Sequence, residues 1–334
     1  MTFPLPLPLA DPELAAALSA RLDLVEERLR GAVTHADLLA DSASRHLVNA
    51  GGKRLRSLLT LLTAQLGEGQ RPEVIDAAVV VELTHLATLY HDDVMDSAPV
   101  RRGAPTAHEV WGNSVAILTG DLLFARASRV VSGLGPEAVR IQAETFERLC
   151  LGQLHETVGP GAGDNAIEHY LQVLADKTGS LIATAARFGA MFAGCEPPVV
   201  AQVTSYGELA GVAFQLADDV IDVRSAAEVT GKTPGTDLRE RVATMPVLLL
   251  RERVAAGASA QDRALLAAID GDLTSDARLA EVVAALGRHS VVDETSEKAR
   301  SWGDEAIAAI AALPAGEVKD ALVAFADALV SRAG

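Results

Sequence analysis

Apolar residues recur at three- and four-residue intervals along most of the chain, and single apolar–polar alternation is scarce. Such spacing predicts helices, each with one face turned to a core. Asp11-Pro12-Glu13 is a helix start: a capping side chain, a proline at the first helical position, then an acid. Pro4, Pro6 and Pro8 keep the residues before it extended. Turn-forming residues interrupt the pattern at Gly51-Gly52, 67–72, 97–105, 133–136, 159–164, 196–198, 230–235, 257–259 and 314–316. The intervals are of ordinary helix length and predict roughly a dozen helices. No shift in composition marks a linker. The expectation is an all-α chain forming one domain over residues 1–334, with an extended arm over 1–10. The stretch from Gly257 onward, rich in Ala and charge, is expected to pack around the rest.

Composition agrees. Of the 334 residues 49% are hydrophobic, mostly Ala, Leu and Val, and aromatics make up 4%. Ala and Leu favour helix, and this length supports a sizeable core. The net charge of −16 repels nucleic acid and anionic lipid at long range, while leaving room for a local basic pocket. Cys150 and Cys195 lie in no metal-binding spacing and are expected to be buried thiols of a reducing cytoplasm. The first residues lack the basic and apolar regions of a signal peptide. No uncharged apolar run reaches the ~18 residues of a membrane span, so a soluble, cytoplasmic protein is expected.

One short pattern occurs twice. Asp92-Asp93-Val94-Met95-Asp96 is echoed by Asp218-Asp219-Val220-Ile221-Asp222, each after a largely apolar stretch. On a helix, residues three and four apart share a face, so Asp92 and Asp96 line up with Asp93 beside them, and likewise Asp218, Asp219 and Asp222. Two like charges ~4 Å apart repel by about 4 kcal/mol at an effective dielectric near 20. Cations are needed to offset that. Mg²⁺ takes oxygen ligands and commonly joins one or two carboxylates to substrate phosphates. Two such clusters on facing helices can clamp a diphosphate. Either cluster alone would read as a solvated helix face.

Basic residues flank the clusters. Gly51-Gly52-Lys53-Arg54-Leu55-Arg56 puts three cations at the head of an apolar helix, where glycines permit close approach and the helix start favours anions. Arg101-Arg102-Gly103 follows the first cluster, and arginine grips phosphate with paired donors. His85 lies two turns before Asp92. Lys177-Thr178 and Lys232 add donors.

With GGKRLR, ELTHLATLYHDDVMD, RRGAPT, WGNSVAILTGDLLFARA, ADKTGSLIATAARFGA, FQLADDVID and GKTPGTDLRE in that order, the chain from Arg45 to Pro246 resembles the trans-isoprenyl (polyprenyl) diphosphate synthases. The resemblance implies a bundle of antiparallel helices around a deep central cavity, as a homodimer. It implies that Asp92, Asp93, Asp96, Asp218, Asp219 and Asp222 organise three Mg²⁺ around an allylic diphosphate, which Arg101, Lys177 and Lys232 also contact. Lys53, Arg56, His85 and Arg102 would hold the diphosphate of isopentenyl diphosphate, and Thr178 and Gln215 would face the reacting carbons. Thr84, Ala87 and Thr88 would line the wall of the cavity below the first cluster. Ala87 and Thr88 are small, so an open shaft and a long product are expected, with Phe124 a candidate floor. Peripheral membrane contact would release such a product.

One departure stands out. After Asp237-Leu238-Arg239-Glu240 the family often carries Gly-Lys, and here the pair is Arg241-Val242. Two other readings share these residues. A class I terpene cyclase would not need Lys53, Arg56 and His85. A regulatory or product-binding subunit of a heteromeric synthase typically lacks aspartates that both clusters here retain.

Overall fold

The computed structural model describes residues 11–224, 234–257 and 259–331. Lys232, the arm over 1–10 and most of the 230–235 break lie outside the described residues. The rest is helical apart from one short hairpin. The helices are α1 (Pro12–Ala32), α2 (Leu38–Asn49), α3 (Leu55–Ala64), α4 (Pro72–Met95), α5 (Ala107–Trp111), α6 (Asn113–Ser132), α7 (Pro136–Val158), α8 (Ala166–Leu174), α9 (Ser180–Phe192), α10 (Pro197–Arg224), α11 (Thr236–Arg239), α12 (Met245–Ala255), α13 (Ala260–Ile269), α14 (Asp276–Gly287), α15 (Ser290–Ala309) and α16 (Glu317–Ser331). A π-helical turn, Ala175–Gly179, joins α8 to α9.

The chain forms two compact units: Met1–Leu149 with Ser180–Glu208 and Ala309–Phe325, and Cys150–Gly179 with Leu209–Ala308 and Ala326–Gly334. In the first unit α4 is the central helix. Val74, Ala77, Ala78, Val79, Val80, Val81, Leu83, Leu86, Ala87 and Tyr90 are all buried, so the helix is enclosed on nearly all sides, with Glu82 and Thr84 buried among them. It packs on α1, α3, α5, α6 and α9. Among the described residues it is the one helix long and apolar enough to cross a membrane, yet 67% of its most apolar window is buried inside the protein. The expected start of α1 is present: Asp11 accepts from the Leu14 amide at 2.6 Å, with Pro12 following. Leu18, Leu22, Val25 and Leu29 then bury one stripe.

The second unit is built on Leu216, Val220, Met245, Leu249, Leu250, Leu286, Val291 and Val292. Residues beyond Gly257 therefore supply core. α13 opens with a capping box, in which the Asp262 amide donates to Ser259 Oγ at 3.1 Å and the Ser259 amide donates to Asp262 Oδ2 at 3.2 Å.

The hairpin was not foreseen. Within the expected break at 97–105, β1 (Val100–Arg101) pairs antiparallel with β2 (Ala104–Pro105), joining Arg101 to Ala104. Arg102 and Gly103 form the two-residue loop with φ of 55° and 77°, the left-handed pair that matches the twist of the strands. The thiols also differ from expectation. Cys150 is exposed on α7 and Cys195 is half-buried, because residue 150 falls on the outer side of its helix.

Candidate active site

In the first unit, cations from two separate segments, residues 53–56 and the hairpin, converge on α4. The hairpin turns Arg102 back over the glycine pair, where Nη1 donates to the Gly51 carbonyl, and to Leu47 O at 3.3 Å. A Cβ on Gly52 would lie 2.8 Å from the Arg102 guanidinium carbon, so the glycine admits this arginine rather than a ligand. Arg56, Arg102, Arg101 and Arg54 all act on His85. Burial first, and these guanidinium groups second, hold the His85 imidazole well below its usual range. Burial also pulls Arg56 and Arg102 down. The Nε of Arg56 is buried and has no hydrogen-bond partner among the described residues, an unmet donor amid positive charge. Lys53 is exposed beside them.

Arg54 is the exception in this basic run. Its side chain is 1% exposed and lies between Glu26 and Glu82, with Nη1 2.7 Å from Glu82 Oε1 and Nε bound to Glu26 Oε1. It braces the loop from behind.

The first aspartate cluster divides. Asp92 is half-buried and Asp96 exposed at the end of α4. Asp93 is fully buried and bound through Oδ1 to Arg101 Nε, while its Oδ2 has no hydrogen-bond partner among the described residues. Burial pushes the Asp93 carboxyl up against the pull of Arg101. The expectation that three carboxylates share one face is corrected here. Each residue turns the helix by about 100°, so the middle aspartate swings toward the core.

The second unit repeats that division with different partners. Asp218 and Asp222 are half-buried and Asp219 is buried. The Tyr170 hydroxyl lies 3.0 and 2.9 Å from the two Asp219 oxygens, and the Met245 amide donates to Oδ2 at 3.1 Å. Burial pushes Asp219 well up. Nearby, Lys177 and Thr178 sit in the π-helical turn. A Cβ on Gly152 would come within 2.7 Å of the Lys177 amide nitrogen, so α7 passes close against the turn. Lys177 Nζ reaches Glu156 Oε2 at 2.5 Å. Thr178 is buried, and Gln215 is half-buried on α10.

Among the described residues no group of three Asp, Glu, His or Cys side chains converges to a metal-binding arrangement. The donor set nevertheless suits Mg²⁺. Each cluster keeps two carboxylates at least partly accessible, only oxygens are offered, and Mg²⁺ draws its remaining ligands from water and substrate phosphate.

A model of the polyprenyl synthetase family matches residues 38–286, a span that includes both aspartate clusters and the basic residues around them. The chain belongs to the polyprenyl synthetase family. It is similar to the nonaprenyl diphosphate synthase of Mycobacterium tuberculosis, 45% identical over 98% of this chain and 96% of that one. It is also similar to heptaprenyl diphosphate synthase component 2 of Geobacillus stearothermophilus, at 35% identity over 91% and 93% of the two chains. Among solved structures, geranylgeranyl pyrophosphate synthase from Corynebacterium glutamicum, complexed with calcium and isoprenyl diphosphate, superposes with a TM-score of 0.85. It is 41% identical, over 98% of this chain and 99% of that chain. The fold is the all-α isoprenoid synthase fold of these polyprenyl synthetases.

Against that family, Arg241 does not stand in for the missing lysine. Its guanidinium turns to the end of α13, 3.5 Å from Asp270 O and 3.2 Å from Gly271 O, with a backbone φ of 62°. The expected cavity wall also changes. Thr84 and Ala87 are 0% exposed, so neither lines open space; Thr88, one turn nearer Asp92, stays half-buried. Residues 84 and 87 face neighbouring helices because α4 is enclosed on nearly all sides. Phe124 packs between His91 and Phe146, with ring centroids 5.8 and 4.1 Å away. Sequence reasoning missed Glu156 and Tyr170, whose roles rest on partners far along the chain.

Proposed function

We propose that the chain is a Mg²⁺-dependent trans-prenyltransferase. It elongates an allylic diphosphate with isopentenyl diphosphate to an all-trans, long-chain polyprenyl diphosphate, working as one domain. The observation that carries this reading is the gathering of Arg56, Arg101 and Arg102 around His85, with Arg101 and Arg102 acting on Asp93 of the first cluster, in an otherwise acidic protein, with the Arg56 Nε left unmet. Asp92 and Asp96, with Asp218 and Asp222, hold the metal ions, three by family likeness. Asp93 and Asp219, named with them from the sequence, act from behind by fixing the last turns of α4 and α10. Mg²⁺ supplies positive charge that stabilises a leaving diphosphate.

The chain's own residues do the rest. Arg101, Lys177 and, outside the described residues, Lys232 donate to the allylic diphosphate as negative charge builds on its bridging oxygen. Lys53, Arg56, His85 and Arg102 hold the second diphosphate, which fixes the isopentenyl double bond against the allylic carbon. The allylic C–O bond breaks, a C–C bond forms, and a proton leaves to the released diphosphate. The Thr178 hydroxyl and the Gln215 amide turn dipoles toward the reacting carbons, and exclusion of water prevents a prenol by-product.

A homodimer is part of this reading. It is supported by the exposed Ile117 and Leu118 on α6 and Val139 and Phe146 on α7, an apolar face that water disfavours. So are a cytoplasmic location and peripheral membrane contact for product release. A second reading, one component of a two-part enzyme, is favoured by the turned-away Arg241 and by the likeness to heptaprenyl synthase component 2.

The test is a product assay. The purified chain with Mg²⁺, farnesyl diphosphate and labelled isopentenyl diphosphate is expected to give a ladder ending at a long prenol after dephosphorylation. No extension of any of several allylic starters would refute a self-sufficient synthase.

A further inference from the structure

The last turns of α2 are bonded both to the hairpin and to α4. His46 Nε2 lies 2.7 Å from the Pro105 carbonyl of β2. A carbonyl can only accept, so Nε2 carries the proton and donates. The same imidazole meets the Trp111 ring of α5 edge to face, with centroids 5.1 Å apart. One residue on, the Leu47 carbonyl accepts from Arg102 Nη1 at 3.3 Å. On the side of α4, the Tyr90 hydroxyl donates to Ala43 O at 2.5 Å and accepts from the Leu47 amide at 3.2 Å. Those two backbone groups are four residues apart, the pair that closes one turn of an α-helix. Tyr90 is fully buried and lies two residues before Asp92. Its hydroxyl therefore ties the end of α2 to the end of α4 that carries the first cluster.

The hairpin needs such support. Each of its strands has two residues, and a lone two-stranded hairpin is marginal in water. Arg101 is anchored on Asp93. Arg102, at the turn, finds its hydrogen bonds among the described residues on the Leu47 and Gly51 carbonyls. We infer that α2 is a splint for the hairpin, and that His46 is a positioning residue. By latching Pro105 it holds the Arg102 guanidinium ready for the diphosphate of isopentenyl diphosphate. The inference rests on the synthase reading above. Without the latch the hairpin is ordered only when the diphosphate arrives, and the cost of that ordering is subtracted from binding. The bound complex that results is the same, so the steps after binding keep their rate. The Tyr90 hydroxyl serves the same end from the other side by keeping α2 in place. Nothing in the local sequence marks His46 for this role, because its partner is a carbonyl 59 residues away.

The test is steady-state kinetics of the full chain with Mg²⁺, farnesyl diphosphate and labelled isopentenyl diphosphate. His46→Leu is expected to raise KM for isopentenyl diphosphate about fivefold to tenfold, the size of one lost hydrogen bond, with kcat within about twofold of the wild type. KM for farnesyl diphosphate should change by less than about twofold, because Arg101 keeps its own anchor on Asp93. His46→Gln retains a donor at similar reach and should restore the wild-type KM. Tyr90→Phe should raise the same KM by less, since the Leu47 amide and Ala43 carbonyl can then bond each other within α2. In an Arg102→Gln background His46→Leu should add nothing, because it acts through that guanidinium. A wild-type chain that elongates, with KM for isopentenyl diphosphate unchanged in His46→Leu and Tyr90→Phe, or with a fall in kcat alone, would overturn the positioning role and leave the synthase reading standing. An undiminished effect of His46→Leu in the Arg102→Gln background would do the same. A wild-type chain that elongates nothing would overturn the synthase reading, and the positioning role with it.

Discussion

Arg54 gives the sharpest test of how the basic loop is held. Burial pulls its guanidinium down, but Glu82 and Glu26 more than offset this and leave it raised, so it stays charged. Its side chain is 1% exposed, against 6% for Glu26 and 2% for Glu82. Arg54→Met fills similar space and strips the cation from two carboxylates. Glu26 retains only Arg30, at 3.4 Å and largely in solvent. Glu82 retains the Ser57 hydroxyl at 3.2 Å and the more distant fields of Arg56 and Arg102. Breaking a buried pair from one side costs about 3–5 kcal/mol, because an uncompensated charge stays inside. The remaining partners place this case toward the lower end of that range.

Urea unfolding followed by circular dichroism and by tryptophan fluorescence measures the loss, and agreement of the two probes licenses a free energy. Adding Glu82→Gln to Arg54→Met removes one of the two stranded charges and should recover at least about 1 kcal/mol, a coupling that distant sites do not show. A loss under about 1 kcal/mol, the size of an exposed ion pair, would refute the buried brace and return Arg54 to the set of available cations.

Four further outcomes follow from the same geometry. Burial and its guanidinium neighbours hold the His85 imidazole well below its usual range, so a diphosphate arriving among them should draw a proton toward it. Calorimetry of isopentenyl diphosphate binding in buffers of different ionisation heat should show up to about one proton more taken up by the wild type than by His85→Gln, and equal uptake would refute the arrangement. Burial pushes Tyr90 from 10.0 up to about 12; its contribution is complete below pH 10 and is lost as pH rises through that folded value, on the order of 2–3 kcal/mol. Tyr90→Phe should lack this alkaline loss, read from denaturation midpoints across that range. Ala87→Phe should now destabilise by about 1–3 kcal/mol, since residue 87 is fully enclosed; an unchanged thermal midpoint would restore the open wall. Asp92→Ala and Asp218→Ala should each lower kcat by at least about 100-fold with unchanged circular dichroism, and EDTA should abolish turnover until Mg²⁺ is returned; near-normal rates in both variants would defeat the metal assignment.

The aspartate clusters and their cations could be read from the sequence because charged residues are out of place at the end of apolar helices, and helical spacing alone puts Asp92 with Asp96 and Asp218 with Asp222. What could not be read is which member of each cluster faces inward and what receives it. That depends on tertiary geometry: a hairpin two residues wide that returns Arg101 to Asp93, and a tyrosine 49 residues upstream of Asp219 with a backbone amide 26 residues downstream. The same limit hid Arg54. In GGKR it is one cation among three, and only Glu26 and Glu82, each 28 residues away, make it internal. The enclosure of Ala87 was hidden too, since small size suits an open wall and a tight helix contact equally. The two clusters thus repeat in chemistry and differ in support. Asp93 is answered by a full positive charge, and Asp219 by a hydroxyl and an amide. Burial, with the charges of Asp237 and Asp218 beside it, raises Asp219 well above its usual range, against only neutral donors that pull it down. The second cluster is therefore the one whose geometry leans on neutral hydrogen bonds, while the first leans on an ion pair with Arg101.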